Sequence, residues 1–171
     1  MRELTSIRLK TAAWLVFIIG PVMGYVPWHL RRLEGSFRWD GTFWQWLGVW
    51  LVLNGVGLAG WCVDLFHTQG RGTPLPVAPP KQFVAAGPYR FVRNPMVLGL
   101  LLLLGGEALI GSSRLMFCYW LLVAAALHAF IVLVEEPGLQ RRFGEGYLRY
   151  KRQVPRWIPR PISGAPKPRS R

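Results

Sequence analysis

The amino-acid sequence predicts an all-α fold, a multi-pass transmembrane helical bundle of about four spans with a C-terminal amphipathic interfacial helix. Three features lead there. Asp, Glu, Lys and Arg are absent from residues 11–28, 41–63 and 115–134, and residues 94–113 carry only Glu107. A hydrocarbon core roughly 30 Å thick takes about 20 apolar residues as helix, so three runs qualify outright and the fourth does if Glu107 sits near an interface. These runs also lack the polar face that a helix on the surface of a soluble domain needs. Finally, ten of the 21 Lys and Arg residues follow Glu136 and others fall between the apolar runs, the layout of a membrane protein with positive cytoplasmic segments.

A net charge of +13 raises nucleic-acid binding, but nothing resembles a base-reading motif with aromatic platforms. The expected partner is the lipid bilayer, with no nucleic acid. A basic tail gains about 1 kcal/mol per Lys or Arg against anionic headgroups. Cys62 and Cys118 sit in separate apolar runs without CxxC or His spacing, so no metal site or disulfide is expected. Residues 2–10 followed by apolar residues resemble a signal peptide. However, no small-x-small cleavage site precedes Arg31 and the run contains Trp14 and Pro21, which favours a retained helix.

The first helix is expected from about Thr11 to Trp28, kinked at Gly20-Pro21 because proline removes a backbone donor, with a loop from His29 to Gly41. The second spans about Thr42 to Phe66. Trp44, Trp46, Trp50 and Trp61 give it the character of an aromatic belt, and Gly48, Gly55, Gly57 and Gly60 offer close approach to another helix. From His67 to Asn94, five prolines and three glycines rule out a lipid-facing crossing, since unpaired backbone groups are too costly in hydrocarbon. Asn94 as N-cap and Pro95 at the first helical position start the third helix, which runs to about Ile110. After a Gly111-Ser112-Ser113 turn, the fourth runs from Arg114 to Glu135. Leu139, Phe143, Tyr147, Tyr150 and Val154 then recur at steps of three and four, with arginines on other faces, predicting the interfacial helix, loosened by Gly144 and Gly146.

The organisation read from this is an N-terminal transmembrane pair over residues 1–66, a cofactor-binding loop, hairpin and interfacial helix over 67–160, and a Pro- and Arg-rich, disordered tail over 161–171. The balanced 29–41 loop and the basic remainder place both termini in the cytoplasm. Oligomeric state is not legible.

The hairpin turn at 111–113 returns the start of the third helix and the end of the fourth to one membrane face. That juxtaposes Gly87-Pro88-Tyr89-Arg90-Phe91-Val92-Arg93-Asn94-Pro95 with Glu135-Glu136 and with Phe143, Tyr147 and Tyr150. Free N–H groups at a helix start, with Arg90 and Arg93 beside them, suit a carboxylate or phosphate. The glutamates suit a ribose diol or a cation, and Tyr89, Phe83 and Tyr147 an aromatic base. S-adenosylmethionine has all three parts; a dinucleotide fits the charge spacing too. Each residue also has a plain structural reading: Asn94-Pro95 an ordinary helix start, the charges interfacial anchors, His128 an interhelical hydrogen bond.

At these residues the chain resembles the isoprenylcysteine carboxyl methyltransferases and their relatives, the phospholipid methyltransferases. The shared pattern is G-x-Y-x-x-x-R-[HN]-P from Gly87 to Pro95, a hydrophobic hairpin, Glu135-Glu136, then Phe143-Gly144, Tyr147, Tyr150 and Val154-Pro155-Arg156. It covers roughly the C-terminal half, in order and spacing. The resemblance implies S-adenosylmethionine as cofactor, held by Lys81, Gln82, Phe83, Val84, Tyr89, Asn94, Pro95, Met96, Val97 and Glu135, with Arg93, Asn94 and Glu136 as candidate catalytic residues. Two positions depart from the pattern: Asn94 stands for the usual histidine and Val97 for the usual tyrosine. Ile131 stands where prenylcysteine enzymes carry an arginine for the substrate carboxylate, which argues against a prenylcysteine substrate. The implied reaction is methyl transfer to an amphiphilic or small hydrophobic acceptor, a carboxylate, thiol or amine. The alternatives are an NADPH-dependent membrane reductase of the sterol-reductase type and a non-catalytic membrane protein.

Overall fold

The computed structural model describes residues 19–35, 38–70 and 84–159, and every regular element in them is helical. α1 (Val26–Glu34) follows a π-helical turn, Pro21–Tyr25; α2 is Phe43–Thr68; a 3-10 turn, Gly87–Arg90, leads to α3 (Pro95–Gly111). α4 (Arg114–Phe130) continues through a second π turn, Ile131–Glu135, into α5 (Glu136–Gln153).

Both π turns end shortly before a proline, Pro27 and Pro137, and share a cause. A proline inside a helix has no N–H to give and its ring presses on the preceding turn; widening that turn relieves the clash. In the first, the Val26 N–H reaches five residues back to Pro21. Pro27 leaves Val22 O without its donor, and the Tyr119 hydroxyl of α4 donates there instead at 3.0 Å. The expected kink is thus a widened turn. The helix also does not stop at Trp28: it runs on through His29–Arg32 to Glu34 and ends at Gly35, whose φ of 112° favours glycine. The predicted loop from His29 shrinks accordingly. The expected start, Thr11 to Ile18, lies outside the described residues, as does the tail from residue 160.

α2 begins on a reciprocal cap, the Thr42 hydroxyl accepting from Gln45 N while the Gln45 side chain accepts from Thr42 N. Gln45 is fully buried, yet both polar atoms of its amide are used: Oε1 also accepts from Asp40 N, and Nε2 donates to Arg38 O and Ile110 O. One side chain ties the preceding loop to the end of α3.

The α2–α3 pair is antiparallel and nearly backbone on backbone. A Cβ at Gly48 would lie 2.7 Å from Gly106 O, and one at Gly55 2.6 Å from Gly99 O. Small residues permit such approach between helices in a membrane. Gly57 and Gly60 have nothing within 4 Å among the described residues, so two of the four glycines singled out in α2 serve the contact with α3. The α3–α4 turn is closed by Ser112 in the left-handed region (φ 48°), with Ser113 Oγ capping α4 at Met116 N. Trp120 donates to Leu101 O across the hairpin at 2.9 Å. α1 and the turn before it lie against this hairpin, Met23 packing with Leu104, Ala108 and Met116. Glu34 accepts from Leu115 N, an acid at a helix start.

Two described helices are long and apolar enough to cross a membrane, one being α2 and the other the continuous run from Arg114 to Gln153; α3, with 17 residues, is apolar but shorter. Only 6% of the most apolar stretch of the second is buried, the reverse of a soluble core helix, and Trp44, Trp50, Leu122 and Leu133 point outward. α5 follows α4 without the break expected near Pro137, but Gly144 (φ 52°, ψ −131°) bends it. Beyond the bend Tyr147, Tyr150 and Val154 pack together with Leu139 and Phe143.

Candidate active site

The hairpin brings the start of α3 and the start of α5 into direct contact. Arg93 Nη1 lies 2.8 Å from Glu136 Oε1 although the residues are 43 apart in sequence. Glu136 is also held by Arg156, Nε to Oε1 at 2.8 Å and Nη2 to Oε2 at 3.1 Å, and by Lys151 Nζ at 3.0 Å. Two further bonds brace the same place: the Tyr150 hydroxyl donates to Tyr89 O at 2.7 Å, and Arg93 N donates to Pro155 O at 2.9 Å. Every segment of the pattern read from the sequence is therefore part of one cross-braced lip. Sequence reasoning missed Lys151 and the bonding of Arg156 to Glu136. The signal available was only that Val154-Pro155-Arg156 comes after a helix whose apolar face ends there.

The second π turn decides how the paired acids are presented. One extra residue in a turn rotates the rest of the helix by about 100°. Glu136 therefore falls in register with His128, where an uninterrupted helix would place Glu135. Glu135 is half-buried beside it. Burial drives the Glu136 carboxyl up, but the hydrogen bonds from Arg156 and Lys151 and the charge on Arg93 outweigh it and hold it at about 2. Glu135 takes part in none of these bonds, and adjacent carboxyls in such unlike settings can take different roles, one a fixed anion and the other a proton acceptor.

Acid stability is a consequence of the first of these. Above the range in which an unfolded Glu titrates, about 4.3, the carboxylate is charged in both states and its contribution is complete. As pH falls below that range the unfolded chain takes up a proton which the folded lip refuses, so stability drains away until pH reaches about 2. Melting temperatures of detergent-purified protein between pH 7 and 2.5 check this. The wild-type minus Glu136→Gln difference is expected to be flat above about 5 and to shrink below it.

Among the other predicted residues, Asn94 is the N-cap of α3 by position but not by chemistry. Its side chain makes no capping bond; it is buried, and Nδ2 has no partner among the described residues. Arg93 Nε is also buried and without a partner there. Pro95 is fully buried, and Met96 and Val97 are half-buried. Tyr89 is buried edge-on against Phe66 at 5.5 Å, in a cluster with Cys62, Leu65 and Val84, so its ring joins α2 to the lip. Burial raises its hydroxyl well above the ordinary phenol range. Arg90 is exposed. Lys81, Gln82 and Phe83 lie outside the described residues. His128 accepts a hydrogen bond from Trp157 Nε1 at 3.1 Å.

Two clefts among the described residues lie at the opposite end of the bundle, around the α3–α4 turn, one lined by Arg31, Glu34 and Arg114 and the other by Trp44, Phe117 and Cys118. Chemistry rather than concavity locates the site. The carboxylate in the first cleft is already committed to capping α4, whereas the lip holds buried donors that nothing described satisfies.

Comparison with known proteins gives the family. The family model for phospholipid methyltransferases matches residues 41–146, which include α2, the hairpin and the paired acids. A phosphatidylethanolamine N-methyltransferase of Arthroderma benhamiae is 33% identical over 137 residues, covering 79% of this chain but 13% of that protein. The cobalt-zinc-cadmium resistance protein CzcN of Cupriavidus metallidurans is 29% identical over 132 residues, 75% of this chain and 56% of the relative. Methanethiol S-methyltransferase 2 of Bradyrhizobium diazoefficiens is 29% identical over 149 residues, covering 69% of this chain and 54% of the relative. The chain thus spans only a small part of the fungal proteins it matches. No solved structure matches it. With its outward-facing apolar helices it is a membrane protein. Matched from α2 through the hairpin to the paired acids, the chain belongs to the phospholipid methyltransferase family.

Proposed function

We propose that the protein is an S-adenosylmethionine-dependent methyltransferase that modifies an amphiphilic acceptor at the membrane surface. One observation carries the reading: the Arg93–Glu136–Arg156 brace gathers the segments of the sequence pattern while leaving Asn94 Nδ2 and Arg93 Nε buried and without a partner among the described residues. Buried donors of this kind cost free energy unless an acceptor meets them. The residues fit the cofactor: Asn94 and the start of α3 toward its amino-acid end, Glu135 toward its ribose or amine, Val84, Met96 and Val97 as apolar walls. When bound, S-adenosylmethionine supplies a methyl group on a positively charged sulfur that leaves as a neutral thioether, so no general acid is needed.

The chain's own work is alignment and exclusion of water. Glu136, with both oxygens committed, positions the lip rather than moving protons. Glu135, only half-buried and outside the Glu136 brace, is the group placed to take the proton that an amine acceptor must lose. A thiolate or carboxylate acceptor would not call on it. In this reading the chain crosses the bilayer four times, both termini and the lip are cytoplasmic, and the part of α5 beyond the Gly144 bend lies along the interface with Arg149 and Arg152 toward the headgroups.

Binding of labelled S-adenosylmethionine to detergent-purified protein tests it. Saturable binding is expected in the wild type, weakened at least about tenfold in Glu135→Ala and in Asn94→Ala, the loss of one hydrogen bond to a charged or buried partner. Absence of saturable binding, or affinity unchanged in both variants, would overturn the reading.

A further inference from the structure

Polar side chains on the apolar helices mostly donate to main-chain carbonyls of the protein. Tyr119 donates to Val22 O, Trp120 to Leu101 O, and Asn54 to the carbonyl one turn back in its own helix. His128 does something else. It is exposed on α4, between outward-facing Leu121 and Phe130, and its only hydrogen bond among the described residues is through Nδ1, which accepts from Trp157. The two rings also face one another, 6.0 Å apart and 36° from parallel.

That bond fixes the chemistry of the other nitrogen. An indole N–H is a donor only, so Nδ1 must be the bare nitrogen, and the neutral ring carries its proton on Nε2. His128 is thereby an orientated donor toward the outside of the helix. Trp157 can hold it because its own position is set: Arg156 is bonded to Glu136 at both carboxylate oxygens, and Pro155 O accepts from Arg93. The same three-residue segment that braces the lip aims the imidazole. With one π turn between them, His128 lies in register with Glu136 and roughly 10 Å below it along the helix, on the hydrocarbon side of the lip.

We infer that His128, held by Trp157, is an acceptor-binding residue that donates from Nε2 to an ester or phosphodiester oxygen of a diacyl phospholipid whose amine sits at the lip. This rests on the methyltransferase reading above. The geometry selects the class: such a lipid carries its accepting oxygens on the tail side of its amine, where His128 lies, and reaches the outer face of α4 from the bilayer. A small thiol has no atom to place there. Among the described residues nothing accepts from this N–H, and an imidazole N–H without an acceptor in hydrocarbon is a cost without return.

The experiment uses full-length protein in nanodiscs, with phosphatidylethanolamine and, separately, 1-hexadecanethiol as acceptors. His128→Phe keeps the stack on Trp157 but has no donor; His128→Gln can accept from Trp157 and donate outward, so it keeps both bonds. Expected is a KM for phosphatidylethanolamine raised about tenfold in His128→Phe, the loss of one hydrogen bond. His128→Gln should restore it to within about threefold, with kcat and the dissociation constant for S-adenosylmethionine unchanged in both. KM for the thiol should not move. An unchanged phosphatidylethanolamine KM in His128→Phe, or no rescue by Gln, overturns the inference. So does a wild type that binds S-adenosylmethionine but does not methylate phosphatidylethanolamine. Failure of the wild type to bind S-adenosylmethionine would instead strike the methyltransferase reading itself.

Discussion

Replacing Glu136 with glutamine should destabilise the protein by about 3 kcal/mol and lower its melting temperature by roughly 10 °C. The carboxylate is 4% exposed and faces three cations, Arg93, Lys151 and Arg156. Glutamine fills the same volume but removes the charge, stranding Arg93, whose side chain is only 10% exposed and whose one ion pair among the described residues is with Glu136. Breaking a buried pair from one side costs far more than the pair is worth, because the remaining charge stays desolvated. Lys151 and Arg156, more exposed, can turn to water and add less. The damage spreads along the braces: Arg156 sets Trp157 and hence His128, and Arg93 N holds Pro155. Cofactor affinity and melting temperature should therefore fall together. Arg156→Ala is the matched comparison, expected to cost about half as much, since the anion keeps two of its three cations. Differential scanning fluorimetry in a mild detergent reads both, and a Glu136→Gln protein that melts like wild type would leave the lip without its proposed keystone.

Much of this arrangement is legible in the chain because the signals are strong and local. The charge-free runs set the helices, Thr42 three residues before Gln45 marks a capping box, and Pro95 opens α3. The Arg93–Glu136 encounter is legible as well, because a tight turn at Gly111-Ser112-Ser113 leaves a hairpin no other way to close. The features that escape depend on geometry finer than a 3.6-residue period. The prolines at 27 and 137 announce helix trouble, but whether a turn breaks, kinks or widens to a π turn depends on what can serve the freed carbonyl. For Val22 that is Tyr119, 97 residues away. Widening keeps α1 running to Glu34 and α4 continuous with α5, and it exchanges Glu135 for Glu136 in the register with His128. Burial of Gln45 is equally hidden, since its partners Arg38 O and Ile110 O are backbone atoms that no residue type advertises.

The glycines of α2 give the sharpest contrast between what composition suggests and what packing uses, and so the second large effect. Gly55→Val should abolish recovery of folded, monodisperse protein or lower its melting temperature by more than about 10 °C, whereas Gly57→Ala and Gly60→Ala should be neutral or slightly stabilising. A Cβ at Gly55 would meet Gly99 O at 2.6 Å and Leu103 N at 2.7 Å, both backbone atoms of α3 that no rotamer change can move. Relief requires the two helices to part, and they are equally close at a second point two turns away, where a Cβ at Gly48 would lie 2.7 Å from Gly106 O. Overpacking ordinarily costs about 1–3 kcal/mol; a clash of main chain on main chain lies at the upper end or beyond. The loss also reaches the site, because α2 carries Cys62, Leu65 and Phe66 against Tyr89, whose carbonyl anchors Tyr150. Cofactor binding should therefore fail in any Gly55→Val protein that is recovered. At Gly57 and Gly60 a methyl group meets nothing within 4 Å among the described residues, and alanine is about 1 kcal/mol the better helix former. Size-exclusion profiles and melting curves of the three variants side by side decide it: equal behaviour at positions 55 and 57 would mean that α2 does not meet α3 through its glycines.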